Sequence, residues 1–309
     1  MKTYKINFRL KGSAITPFQS DTIWGHFAWA CFYIWGEKFG REFIKANKNG
    51  NPTLVTNAYP DGYIPVPLVE IKYIGDEDSQ LFKEIKKRKI MKIENFRKIK
   101  DNLSWDSVFN ILKTEVTDSA RSGGISKFTV MRNKIDRLTF TTSGEGELFA
   151  TDEVFYDPEF KMWFAVRTDF LNREQIEKIL KHIELSGFGA DSSIGRGRLE
   201  FISIEEDYEF PESDNANAFV SLSNFIPTQE DLNNSEDMWY SIFTKYPKVG
   251  GHFALSDPFK KPLVFMEAGS VFKVKQVKNF YGRVIENVHS NSEVVQYAYA
   301  FPLKVRLEG

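Results

Sequence analysis

The sequence has almost no cysteine. Cys31 is the only one in 309 residues, which excludes an intramolecular disulfide or a cysteine-based zinc site and points to a reducing, cytoplasmic setting. Histidine is scarce and scattered: His26, His182, His252 and His289 have no metal-ligand spacing. A Gly-Gly-Asp-Asp run, a His-Asp pair and a Ser-His-Asp pattern are also missing, so neither a metal nor a cofactor is expected. The longest apolar run, residues 27–35, falls far short of the roughly 18 residues a membrane helix needs. Net charge is lacking too. The 41 basic and 42 acidic residues leave −1, an average that speaks against a nucleic-acid binder.

Large apolar side chains are plentiful, with 28 phenylalanines and a hydrophobic fraction of 42%. That composition excludes a disordered chain, and the length allows two domains. Tyr4, Ile6, Phe8 and Leu10 alternate with polar residues, which predicts an opening strand and not a signal peptide. The charge is unevenly spread. Residues 199–244 hold eleven acids and no lysine or arginine, so the remainder is a basic body, 41 cations against 31 acids. Inside this acidic belt, residues 207–217 have the Pro, Ser, Asn and Asp density of a linker. The expected domains are therefore 1–206 and 218–309.

In the first domain a helix is predicted from an N-cap at Ser20 or Asp21 through Trp35 toward Lys38. An irregular strand at 63–73 follows, interrupted by Pro65 and Pro67. Residues 83–100 carry nine cations and two acids on an apparent helix; a solvated charged face is the commoner reading and a phosphate-tracking patch the functional one, and spacing alone does not decide. Strands are expected at 134–142, 147–156 and 161–168, the first two joined as a hairpin through the Ser-Gly-Glu-Gly turn at 143–146. Asn172 caps a helix with Ile176, Ile179, Leu180 and Ile183 on one stripe, and a strand at 198–204 closes the unit. The order β-α-β-β-α-β is that of the α+β ferredoxin-like (RRM-like) fold, with an insertion after its first helix. Residues 218–309 are mostly strand-like, with signals at 218–225, 261–277 and 294–307, and read as a second, degenerate domain of this kind.

The most specific segment is GFGADSSIGRGR at 187–198. Gly187, Gly189, Gly195 and Gly197 lie between a helix and a strand. Such a loop lets backbone amides approach a phosphodiester, and Ser192, Ser193, Arg196 and Arg198 add donors. A tight structural connection would use the same glycines. The segment is neither a Walker loop nor a dinucleotide fingerprint.

This loop resembles the hallmark of the RAMP superfamily of CRISPR RNA-binding proteins. SDTIWGHFAWA at the first helix, MRNKIDRLT followed by GEGELF, EAGSVFKV, and YAYAFPLKV near the C-terminus narrow the likeness. Together they resemble the fourth-subunit family of the type III-A (Csm) interference complex, which caps the 5′ handle of the CRISPR RNA (crRNA). The resemblance implies a non-catalytic, crRNA-binding scaffold. Its partners would be the large polymerase-type subunit and an adjacent backbone RAMP subunit, with no membrane role. It also implies a β-hairpin thumb, at about 120–150. Lys127, Arg132, Asn133, Lys134 and Arg137, beside Phe128 and Met131, would grip RNA there, cations on phosphates and apolar groups against bases. Ser20 and His26 join the implied RNA contacts at the start of the first helix. The alternatives are a metal-independent endoribonuclease with His26 as general base, and a protein-interaction module whose glycine loop is purely structural.

Overall fold

The computed structural model describes residues 1–70, 79–118, 124–133, 135–142, 148–251 and 257–308. Helix and sheet are mixed. The chain opens with β1 (Lys2–Leu10) and β2 (Ser13–Ala14), followed by the long helix α1 (Ser20–Lys48), which is bent at Gly36. Next come β3 (Leu54–Val55), β4 (Tyr59–Pro60), β5 (Tyr63–Pro65), α2 (Ser79–Lys87), β6 (Ile90–Lys92), α3 (Ile93–Ile99) and α4 (Trp105–Asp118). The hairpin β7 (Ile125–Asn133) and β8 (Leu148–Tyr156) precedes β9 (Met162–Thr168), α5 (Arg173–Ser186) and β10 (Leu199–Glu206). Alternation buries Tyr4, Ile6, Phe8 and Leu10 of β1, which lies between β10 and β9 in an antiparallel sheet ordered β10-β1-β9-β3, with β4 also on β9. Helix α5 opens on the expected capping box, Asn172 with Gln175, and buries its isoleucine stripe.

The second half contains β11 (Ala218–Ser221), α6 (Gln229–Asn234), β12 (Ser235–Trp239), β13 (Ile242–Lys245), β14 (Leu263–Met266), β15 (Val271–Val274), β16 (Tyr281–Ile285), β17 (Gln296–Ala300) and β18 (Pro302–Val305). Its main sheet runs β18-β11-β15-β12. Counting only sheet strands, both halves follow the order fourth, first, third, second. The halves interlock: the Tyr297 hydroxyl accepts from the Val55 amide at 2.9 Å, and the Tyr59 hydroxyl donates to the Leu222 carbonyl at 2.7 Å. Residues 207–217 are likewise tied down, with the Tyr208 amide on the Thr3 carbonyl, the Ser213 amide on the Lys304 carbonyl, and Phe210 buried.

Several expectations are corrected. Helix α1 is capped at Gln19 and runs to Lys48. Ser20 is fully buried, its amide donating to Asn57 Oδ1 at 2.8 Å, so it is not a surface RNA contact. Residues 83–100 do not form one helix, because Met91 is buried in β6, which pairs with β5. The strand expected at 134–142 lies earlier, at β7. Asp136 instead turns the chain, its carboxylate accepting from the Leu138 amide at 2.7 Å, a local bond that competes with strand pairing. The turn at 143–146 lies outside the described residues. The acidic belt is largely neutralised from within: Glu200 meets Arg9 and Lys11, Glu206 meets Lys2, Glu212 meets Arg167, and Glu230 meets Lys278. The basic body is therefore less free than its formal charge implies.

Candidate nucleic-acid interface

Strands β7 and β8 pair along their whole length, from Ile125 opposite Tyr156 to Asn133 opposite Leu148. Among the described residues only β2 extends this sheet outside the hairpin, Ser13 opposite Phe155 and Ala14 opposite Val154, and most of the ribbon's side chains are exposed. Strand alternation divides the predicted residues. Lys127, Met131 and Asn133 share one face, while Phe128 and Arg132 share the other. Phe128 is 56% exposed, and Leu138 and Phe140 beyond the strand reach 91% and 83%. Arg137 is exposed beside them. Lys134 lies outside the described residues. Apolar side chains this accessible on a ribbon with lysine and arginine suit a ligand with both phosphates and flat bases.

The glycine loop follows α5 directly. Its glycine amides are spent inside the chain: Gly187 donates to the Ile183 carbonyl, Gly189 to His26 Nε2, Gly195 to the Ser192 carbonyl and Gly197 to the Ser13 carbonyl. The amide cradle expected for a phosphate is therefore not available at these four positions. Gly187 and Gly197 are also buried. Arg196 is corrected as well: it is 3% exposed and paired with Asp191 and Glu153, so its charge is consumed internally. What the loop presents to solvent is Ala190, Asp191, Ser193, Ile194, Gly195 and Arg198, with Ser192 half-buried; the Asp191 carboxylate is paired with Arg196.

Glu153, which the sequence reading did not single out, joins these two elements. Its carboxylate accepts from Ser13 Oγ at 2.6 Å, Arg132 Nη2 at 2.6 Å and Arg196 Nη2 at 2.8 Å. Burial alone would raise its pKa; the Ser13 hydroxyl and the two guanidinium groups outweigh that and hold it below the usual carboxylate range. Arg132 is thus partly engaged, leaving Lys127 and Arg137 as the freer cations of the hairpin. Nothing in the sequence pointed to it, because the register that sets Glu153 opposite Phe128 differs from the one expected with a strand at 134–142.

His26 sits on the first turns of α1 against this loop. Its ring stacks on Phe188 with centroids 4.6 Å apart, and Nε2 accepts the Gly189 amide at 3.0 Å. Burial, with a smaller contribution from His182, pushes its pKa down to about 4, so the ring is neutral near pH 7. Gly25, one residue before His26, has open space where a Cβ would stand. It borders a separate cavity of about 850 Å³ lined by Trp29, Phe32, Tyr33 and Arg41, which holds none of the predicted site residues. Among the described residues no cluster of His, Cys, Asp and Glu is arranged to hold a metal, and no helix is long and apolar enough to cross a membrane.

No family model and no curated protein matches the chain. Solved structures do. A Csm1-Csm4 cassette in complex with pppApA matches with a TM-score of 0.60 and 17% identity, over 100% of this chain and 99% of that one. A Csm3-Csm4 subcomplex in the type III-A CRISPR-Cas interference complex matches with a TM-score of 0.58 and 17% identity, over 98% and 99%. Csm4 is the component these two assemblies have in common. The chain has the fold of Csm4. A type III-B Cmr-beta complex bound to cognate target RNA and AMPPnP is more distant, at 12% identity and a TM-score of 0.50 over 87% of this chain. The coverage of nearly the whole chain takes in both of its halves.

Proposed function

We propose that the chain is a non-catalytic crRNA-binding subunit of a type III-A CRISPR effector complex in antiviral defence. It holds the 5′ handle of the crRNA and docks a large polymerase-type subunit and a neighbouring backbone subunit. One observation carries this reading: the exposed ribbon β7–β8, with Lys127, Phe128, Met131 and Arg137, is rooted through Glu153 beside the glycine loop. The ribbon acts as the thumb, and Ser193, Asn133 and Arg198 lie among the handle contacts. Assemblies named for Csm1 with Csm4 and for Csm3 with Csm4 support the two protein partners. The shared strand order supports reading both halves as ferredoxin-like, the second degenerate because β16 and β17 stand where the first half has α5.

The spent glycine amides favour a structural role for the loop backbone, so RNA contact falls to side chains and the ribbon. His26 supports the non-catalytic reading. A general base needs a free lone pair near the substrate hydroxyl, and Nε2 is already bonded to Gly189. The test is recovery of the tagged full chain with its bound RNA and sequencing of that RNA. A common 5′ tag is the expected result. Untagged RNA, or metal-independent cutting of a repeat RNA that is lost in His26→Ala, overturns the proposal.

A further inference from the structure

Hairpin β13–β14 lies between the second and third sheet strands of the second half, the same place in the strand order that β7–β8 occupies in the first. Ile242 stands opposite Met266 and Lys245 opposite Leu263. Its odd-numbered side chains turn inward: Phe243 stacks on Phe265, and Lys245 Nζ bonds Gln19 Oε1 at 2.6 Å and Asp21 Oδ1 at 2.7 Å. On a ribbon anchored this way the outward positions are normally polar. Here Thr244 is the polar one, flanked by Tyr240, Ile242 and Tyr246, with Val264 from the other strand; Ile242 is 58% and Tyr246 67% exposed.

We propose that β13–β14 is a second contact for single-stranded RNA, gripping the same strand as β7–β8. The inference rests on the reading of the first hairpin as RNA-binding. Charge selects RNA over a protein partner. Residues 240–251 and 257–266 carry four lysines and one acid, Asp257, whose carboxylate faces His289; Lys245 is spent on Asp21 and Lys260 on the Val295 carbonyl and Gln296 Oε1, which leaves Lys248 and Lys261 for a ligand. Lys248 and Lys261 are exposed, and Lys248 lies over the ring of exposed Phe259 at 5.2 Å. Aromatic faces interleaved with lysines accept stacked bases and their phosphates without reading sequence. The two hairpins are also close along the chain. Ser13 meets the first near its root and Asp21 meets the second at Lys245, the end of β13 next to its connecting loop, and eight residues span at most about 29 Å. Thr16, between them, accepts the Ala190 amide of the glycine loop at 2.8 Å.

The test compares three variants of the full chain, each checked for unchanged thermal unfolding: Tyr240→Ala with Tyr246→Ala, Lys248→Gln with Lys261→Gln, and Lys127→Gln with Arg137→Gln. Each is measured with a fluorescein-labelled single-stranded RNA of mixed sequence, and in the recovered complex by ultraviolet cross-linking. The tyrosine pair is expected to weaken binding about ten-fold or more, and the Lys248/Lys261 pair to flatten the salt dependence by about one phosphate contact or more. Cross-links are expected in both hairpins. If only the Lys127/Arg137 variant weakens binding and only β7–β8 cross-links, the second contact is refuted while the proposed function stands. If no RNA binds or cross-links to either hairpin, the proposed function itself falls. If the tyrosine variant sheds a protein subunit and keeps its RNA, β13–β14 is a protein-docking face and the inference is wrong.

Discussion

At the scale of single residues, the glycine loop is held by exact fits and one titratable side chain. Gly197 has φ +61°, and a Cβ there would stand 1.9 Å from the Phe188 carbonyl oxygen, whereas Gly195, at φ +92°, faces open space. Gly197→Ala is expected to destabilise the protein by about 2 kcal/mol or more. Gly195→Asn costs well under that, because Asn tolerates left-handed backbone. Urea unfolding of the two variants checks the contrast, and equal losses would refute it. Glycine spacing made the loop legible as special in the sequence, but not its purpose, because the Phe188 backbone that demands Gly197 is brought in by folding. His26 yields a pH prediction. Unfolded, the imidazole takes a proton near pH 6.5; folded, only near pH 4. Between those values the unfolded state binds more protons, so stability is full above about 6.5 and falls as pH drops toward 4. His26→Gln, which keeps an acceptor for the Gly189 amide but does not titrate, is expected to lose less melting temperature than wild type between pH 7 and pH 5. Identical slopes would remove His26 from the titration.

At the scale of elements, the thumb ribbon keeps its position through a buried ionic junction. Glu153 and Arg196 are nearly inaccessible, and a buried pair is costly chiefly when one partner is removed. Glu153→Ala is expected to lose about 3–5 kcal/mol in urea unfolding, because the Arg196 guanidinium stays buried with only Asp191. Glu153→Leu with Arg196→Met should recover most of that loss, since paired charges are exchanged for apolar volume. A double variant as unstable as the single one would show that Glu153 acts through packing alone. Elements with strong local signals were legible: β1 by its alternation, α5 by its capping box and stripe. The hairpin was legible as a hairpin but misplaced by about a strand. Its exposed faces leave no buried side to fix the register, and the Asp136 turn is a local bond no hydrophobic pattern records. Residues 83–100 failed for the opposite reason, because burial of Met91 overrode a helical run of cations.

At the scale of the whole molecule, the two halves are joined by a shared core that a linker-like composition at 207–217 concealed. Trp24 of α1 stacks on Tyr297 at 5.2 Å, Tyr299 donates to the Asn47 carbonyl at 2.7 Å, and Phe210 packs between Trp163 and Phe301. Polar residues made 207–217 look like a spacer, but their backbone is hydrogen-bonded to strands of both halves. The charge division read along the chain also loses its independence, since acids of 199–244 lie against cations of the first strand. A chain ending at residue 206 would therefore expose the apolar faces of Trp24 and Trp163 and leave the buried Val55 amide without its Tyr297 partner. Each uncompensated buried donor costs about 1–3 kcal/mol, on top of the lost apolar burial, against a total stability of only about 5–15 kcal/mol for a typical domain. The 1–206 fragment is expected to aggregate or to bind a hydrophobic dye, and the full chain to unfold in a single denaturant transition. A 1–206 fragment with a cooperative melt of its own would show instead that the first half folds independently and that the interlocking tyrosines only dock a preformed partner.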